Sequence, residues 1–370
     1  MNGDLRIDGC RVDGTASVLH IRAGTLVPEA DGPVVEADGL VAVPGYLDLQ
    51  INGAFGHDFT HDPAAIWEVG ARLPRHGVTS FLPTIITSAP SVVAEARAVL
   101  AAGPPSGYVG ARPLGLHCEG PMLSPVRRGA HPAELLTAAS ESVPAGWGGL
   151  SGVRMITLAP EVEGAEELIP RLVEQGVVVS LGHSDCSAAV ARRALAAGAR
   201  CGTHLFNAMS GLDHRRPGLA AALLSHPDAT VGVIVDGVHV HPEMVNLAHR
   251  LAGRRLLLVT DAMAAMGHGE GTFALGAVNV VVEGNRATTA EGVLAGSVLT
   301  MDEAVRNLAA FTDCSIEAAA VHATATPARL MGEQGRGSLV AGAVGDVVLL
   351  DETGHVVLTV IDGTVVEDRR

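Results

Sequence analysis

No lysine occurs in the 370 residues; all 25 basic side chains are arginine. That excludes Schiff-base catalysis, the lysine of a phosphate-binding loop and a carbamylated lysine bridging two metals. Cysteine is sparse and scattered, with five residues (Cys10, Cys118, Cys186, Cys201, Cys314) and no C-x-x-C pair. Such usage describes reduced thiols in a cytoplasmic protein rather than a disulfide framework. Aromatic residues are only 3% against 48% hydrophobic in all, so Ala, Val, Leu and Gly must build the core. Helices and parallel strands use such residues well. No apolar run approaches the ~18 residues of a membrane span, and the opening Met-Asn-Gly-Asp-Leu-Arg lacks the grammar of an export signal. The 40 acidic residues leave a formal charge of −15, which argues against nucleic-acid or acidic-membrane partners.

What is present divides the chain into two kinds of text. Residues 1–43 are short runs such as Ser17–Arg22 and Pro33–Ala37 punctuated by Asp-Gly turns, and residues 337–370 repeat that style in Asp346–Asp351 and His355–Ile361. A small β-sandwich domain assembled from both chain termini follows, with residues 44–336 inserted as one larger domain. There, apolar runs alternate with segments of helical period. Eight strands are expected, at Val43–Ile51, Val78–Thr84, Pro113–His117, Val153–Leu158, Val177–Gly182, Arg200–His204, Thr230–Asp236 and Arg255–Asp261. Helices such as Pro63–Arg75, Glu166–Gln175, Cys186–Ala197 and Pro242–Ala252 separate them. This is the α/β pattern of a (β/α)8 barrel of TIM type, with an open doubly wound sheet as the competing topology. Phe273–Ala290 reads as a hairpin insertion that interrupts the eighth unit before its helix resumes at Ser297–Ala310.

Barrel enzymes carry their chemistry at the C-terminal ends of the strands. Here those ends hold His117-Cys118-Glu119, His183, His204, Asp236-Gly-Val-His239 and Asp261. A lone carboxylate at such a place is usually a helix cap and a lone histidine a hydrogen-bonded core residue. Five strand ends bearing Glu, His, His, His and Asp are harder to explain that way. Glu119, His183 and His204 offer one carboxylate and two imidazoles with a position left for water, the composition of a catalytic site for one divalent metal. Zn2+ suits it best, and Fe2+, Co2+ or Mn2+ also fit. Asp261 is then free to act as general base. Alternation puts His117 on the face of Glu119 and turns Cys118 away as packing. After the sixth strand, Asn207 to Gly218 includes Arg215-Arg216 and could cradle a phosphate; a solvated arginine pair explains that loop equally well. Val126-Arg-Arg-Gly-Ala-His131 adds a second basic loop.

Taken together, His-Cys-Glu119-Gly-Pro, Gly-Ala-His131, Leu-Gly-His183-Ser, Thr-His204-Leu-Phe-Asn207-Ala-Met, Arg215-Arg-Pro-Gly-Leu, Asp236-Gly-Val-His239, Val-Thr-Asp261-Ala and Leu294-Ala-Gly-Ser resemble the N-acetylglucosamine-6-phosphate deacetylases of the amidohydrolase superfamily. The resemblance runs over nearly the whole chain in order. It implies deacetylation of an amino-sugar phosphate, with metal at Glu119, His183 and His204 and proton transfer by Asp261. His131 is implied beside the acetyl carbonyl, and substrate contacts at Ala130, His131, Asn207, Ala208, Arg215, Asp236, His239, Leu294, Ala295 and Gly296. A homodimer is implied as well, the Arg215 loop reaching a neighbouring subunit. The superfamily's His-x-His after strand one is here Gln50-Ile-Asn52, whose neutral amides are poor ligands for a second metal, so a single ion is expected. The rival readings are a deacetylase for an epimeric N-acetylhexosamine 6-phosphate, another amidohydrolase, or a non-catalytic sugar-phosphate sensor; an intact Asp261 argues against the last.

Overall fold

The apolar runs become strands covered on both faces, which is why they read as continuous rather than alternating. The computed structural model describes residues 3–139 and 152–370. Its central strands are β1 (Tyr46–Ile51), β2 (Val78–Ile86), β3 (Leu116–Glu119), β4 (Val153–Leu158), β5 (Val178–Leu181), β6 (Cys201–Gly202), β7 (Thr230–Val233) and β8 (Leu256–Leu258). Each pairs in parallel with the next. A bridge from Ile51 to Ala262, and the Asp261 N–H donating 2.8 Å to the Gln50 carbonyl, join the end of β8 to β1. The sheet is therefore a closed (β/α)8 barrel.

Amphipathic helices shield its outside. Helix Ala165–Glu174 buries Ala165, Leu168, Ile169 and Leu172, one stripe at helical spacing. Helix Ala188–Ala196 starts where the Ser187 hydroxyl accepts from the Val190 N–H, a side-chain cap that ends the preceding loop.

Strands from the two ends of the chain form one eight-stranded sheet. Its seam is Val41–Pro44 antiparallel to Val347–Leu350. A bridge from Thr25 to Val344 curls the far edge back, enclosing a separate core that includes Ile7, Ile21, Leu349 and Val360. Val43 belongs to this sheet, not to the first barrel strand as expected. The chain turns between the two at Gly45, where a Cβ would lie 2.2 Å from Thr79 Oγ1.

The expected hairpin is a three-stranded flap, Gly271–Leu275, Val278–Glu283 and Arg286–Thr288. Its inner face packs against Ile86, Met263 and Ala264 over the barrel mouth. The helix after the flap is Met301–Thr312 rather than Ser297–Ala310, because Ser297 is spent bridging Ala262, and two short helices, Ile316–Ala320 and Ala325–Met331, follow it. No helix among the described residues is long and apolar enough to cross a membrane.

Candidate active site and metal centre

At the barrel mouth three site residues leave their strands in the left-handed region, His183 at φ +48°, His204 at +29° and Asp261 at +49°. Non-glycine residues seldom occupy it, and they do so mainly where function demands an unusual side-chain direction. Beyond these turns the three side chains meet in one cavity.

There the His183 and His204 Nε2 atoms lie 3.1 Å apart, and they stand 3.3 and 3.2 Å from Glu119 Oε1. All three residues are buried, and among the described residues these are the ones grouped so that they could hold a metal ion. A tetrahedral site with ligands at about 2.0 Å has edges of about 3.3 Å, so the spacing fits a zinc-sized ion. His183 Nδ1–H donates to the Arg127 carbonyl at 2.9 Å, which leaves the Nε2 lone pair facing the cluster. Burial alone would raise the Glu119 carboxyl; its hydrogen bonds to the two imidazoles outweigh that and hold it well below the usual carboxylate range. Burial works against protonation of His204, yet its contact with Glu119 raises it.

Asp261 is pushed up to about 6, first by burial and then by the Glu119 charge. Two strand-one amides hold it. Asn52 Nδ2 donates to Asp261 Oδ1 at 2.7 Å, and Gln50 Nε2 reaches both Asp261 Oδ1 at 3.2 Å and Glu119 Oε1 at 3.1 Å. Gln50 and Asn52, read from sequence only as poor ligands, are thus hydrogen-bond donors to these carboxylates. Below them Asp48 accepts from Thr260 Oγ1 at 2.5 Å, and burial raises it to about 7.

His131 lies on the opposite side, its Nε2 3.9 Å from Glu119 Oε2. Burial, reinforced by the nearby His183, depresses it to about 3, so the ring is neutral. Thr87, which no sequence signal marked, approaches Nδ1 with its backbone N–H at 3.4 Å and its hydroxyl at 2.9 Å. His117 lies in the barrel interior beneath the cluster. Its Nδ1–H donates to the Leu49 carbonyl at 3.1 Å, its Nε2 accepts from the Thr157 hydroxyl at 2.8 Å, and burial lowers it to about 4. Cys118 is fully buried in the core around the barrel, and burial pushes its thiol up to about 12.

A cavity of about 480 Å³ opens above these groups. Besides the cluster, Asp261 and His131, it is lined by Ala130, Asn207, Ala208, His239 and the segment Leu294, Ala295, Gly296. The Asn207 amide N–H groups are directed to the carbonyls of His204 and Leu205, each at 3.3 Å. Asp236 does not line this cavity. Its carboxylate instead accepts from His239 Nδ1 at 2.6 Å and from the His239 and Val238 N–H groups, each at 2.8 Å, fixing the imidazole. Burial opposes ionisation of Asp236, but the bond from His239 holds it below its ordinary value.

Arg215 is not brought to this cavity either. It lines an adjoining basic one of about 680 Å³ with Arg192 and Arg216, which Arg127 shares with the first.

This fold and site place the chain in the amidohydrolase family, whose model matches residues 41–366. It is 41% identical over 349 residues to the N-acetylglucosamine-6-phosphate deacetylase of Bos taurus, covering 90% of this chain and 84% of that one. It is also 38% identical over 337 residues to the N-acetylgalactosamine-6-phosphate deacetylase of Escherichia coli O157:H7, with 87% of each covered. The crystal structure of N-acetylglucosamine-6-phosphate deacetylase from Pasteurella multocida superposes with a TM-score of 0.90 at 28% identity, over 97% of this chain and 98% of that one.

Proposed function

We propose that this protein hydrolyses the acetamide of N-acetylglucosamine 6-phosphate to glucosamine 6-phosphate and acetate, using one divalent ion, Zn2+, held by Glu119, His183 and His204. The observation that carries this reading is the convergence of those three buried ligand atoms within 4.8 Å of one another, in the same cavity as Asp261 and His131. Bound there, the ion supplies Lewis acidity toward the acetyl oxygen and toward water.

The remaining steps belong to the chain's own groups. Neutral His131 donates a hydrogen bond from Nε2 to the acetyl oxygen as charge develops on it. Asp261, a carboxyl poised near 6, takes the proton of the attacking water and returns it to the departing amine. Asn52 and Gln50 keep its carboxylate aimed at that water.

Asn207, Ala208 and His239, oriented by Asp236, hold the sugar phosphate, with Ala130 and Leu294–Gly296 closing the walls. Arg215 reaches the phosphate of a neighbouring subunit, making the working unit a homodimer, and the compartment is the cytoplasm. Metal analysis combined with acetate release from the gluco and galacto 6-phosphates tests the reading. One ion per chain and preferred release from the gluco sugar are expected. Preferred release from the galacto sugar would reassign the substrate; a bound ion with no release from either would leave another amidohydrolase or a sensor.

A further inference from the structure

The three-stranded flap supplies no charged group to the chemistry described above, yet it contributes to the cavity wall. Leu275, at the end of its first strand, lines the cavity together with Ile86, Ala130 and Ala295. The same four side chains belong to one apolar cluster, three as buried members and Ala130 packed against it. Their places in the chain locate this corner. Ile86 precedes Thr87, the partner of His131 Nδ1, and Ala130 precedes His131 itself. On the other side, a Cβ at Gly296, the residue after Ala295, would lie 3.2 Å from the Asp261 carbonyl oxygen. Leu275 is held by its neighbour, since a Cβ at Gly276 would fall 2.9 Å from Ile86 Cδ1. The apolar corner therefore shares one cavity with His131 and Asp261, the two groups that act on the scissile amide, and adjoins the backbone that carries them.

An N-acetylated amino-sugar phosphate has one purely apolar group, the acyl methyl, and burying it against aliphatic carbon is favourable whereas burying a hydroxyl there is not. Resting on the deacetylase reading, we propose that Ile86, Ala130, Leu275 and Ala295 form the acyl subsite, and that Leu275 sets the length of acyl chain removed. The wall admits a methyl and stops a longer chain at the flap. A single methylene in a hydrophobic pocket is discriminated by about 10- to 200-fold, so one shortened side chain shifts the preference by a comparable factor.

The experiment compares kcat/KM for N-acetyl, N-propionyl and N-butyryl glucosamine 6-phosphate in the wild type and in Leu275→Ala, with the metal-loaded enzyme. The propionyl-to-acetyl ratio is expected to rise tenfold or more in the variant, and the butyryl ratio further. Leu275→Val, a smaller change in the same cluster, repeats the comparison if the alanine variant does not fold and is expected to move the ratio severalfold in the same direction. An unchanged ratio in a folded variant, with all three substrates slowed equally, would overturn the proposal while leaving the deacetylase reading intact. Failure of the wild type to release acetate at all would instead strike at the deacetylase reading.

Discussion

The Asn52 side-chain amide donates a 2.7 Å hydrogen bond to Asp261 Oδ1, across 209 residues of sequence. A hydrogen bond to a charged group contributes roughly 1.5–3 kcal/mol. Asn52→Leu is therefore expected to lower kcat by about 10- to 100-fold. It should also move the acid limb of the pH profile upward, because the lost donor favoured the carboxylate. Metal content should not change, since Asn52 touches none of the three ligands, and elemental analysis of the purified variant checks this.

Replacing Asp261 by Asn separates the metal from the proton. The side chain keeps its shape and loses its basicity, so the ion should remain and turnover should fall by about three orders of magnitude or more. Acetate release measured beside metal content decides it. Activity within tenfold of the wild type would remove Asp261 from proton transfer.

Arg215 opens onto the basic cavity beside the active site rather than into the active-site cavity. If it serves a neighbouring subunit, Arg215→Ala should raise KM for the phosphorylated sugar and leave the unphosphorylated sugar nearly unaffected. At phosphorylated-sugar concentrations below the raised KM, mixed dimers of Arg215→Ala with Asp261→Asn should then be more active than either homodimer, because one of the two sites regains both groups. Absence of recovery after subunit exchange would place the arginine's action within its own chain.

Stability should also fall in mild acid. His322 is buried, donates Nδ1–H to the Leu256 carbonyl at 2.8 Å, and is lowered to about 4 by burial. An unfolded chain binds that proton near 6.5 while the folded one does not, so its contribution is complete above 6.5 and is lost as pH falls toward 4. The gap corresponds to a loss on the order of 3 kcal/mol. Thermal melts from pH 7.5 to 5 should show a shallower decline for His322→Gln than for the wild type; equal slopes would show that His322 is not a source of the acid sensitivity.

The barrel was legible because its strands are apolar runs, and five of them end at an ionisable residue, so His183, His204 and Asp261 could be placed at strand tips before any distance was known. Alternation also separated Glu119 from Cys118, but it left His117 open. Only the Leu49 and Thr157 contacts decide that it supports the cluster from below. The donor role of Gln50 was hidden because its partners lie 69 and 211 residues away, where no local spacing reports on them. The left-handed turns at the histidines carried no signal either, since glycine or asparagine would mark such a position and neither is there. Asp236 looked like a cavity residue from its motif, and the bond to His239 shows what its carboxylate faces.

The seam between Val41–Pro44 and Val347–Leu350 has a consequence for how the molecule comes into being. The first of these strands leaves the ribosome about 300 residues ahead of its partner, an interval on the order of 15–60 s at ordinary rates of synthesis. Throughout that time the early β strands have an unpaired edge, and β1 of the barrel, which starts at Tyr46, hangs from it. Completion of the small sheet thus waits until the whole barrel has been synthesised, when Val347–Leu350 arrives and pins the entrance of the barrel.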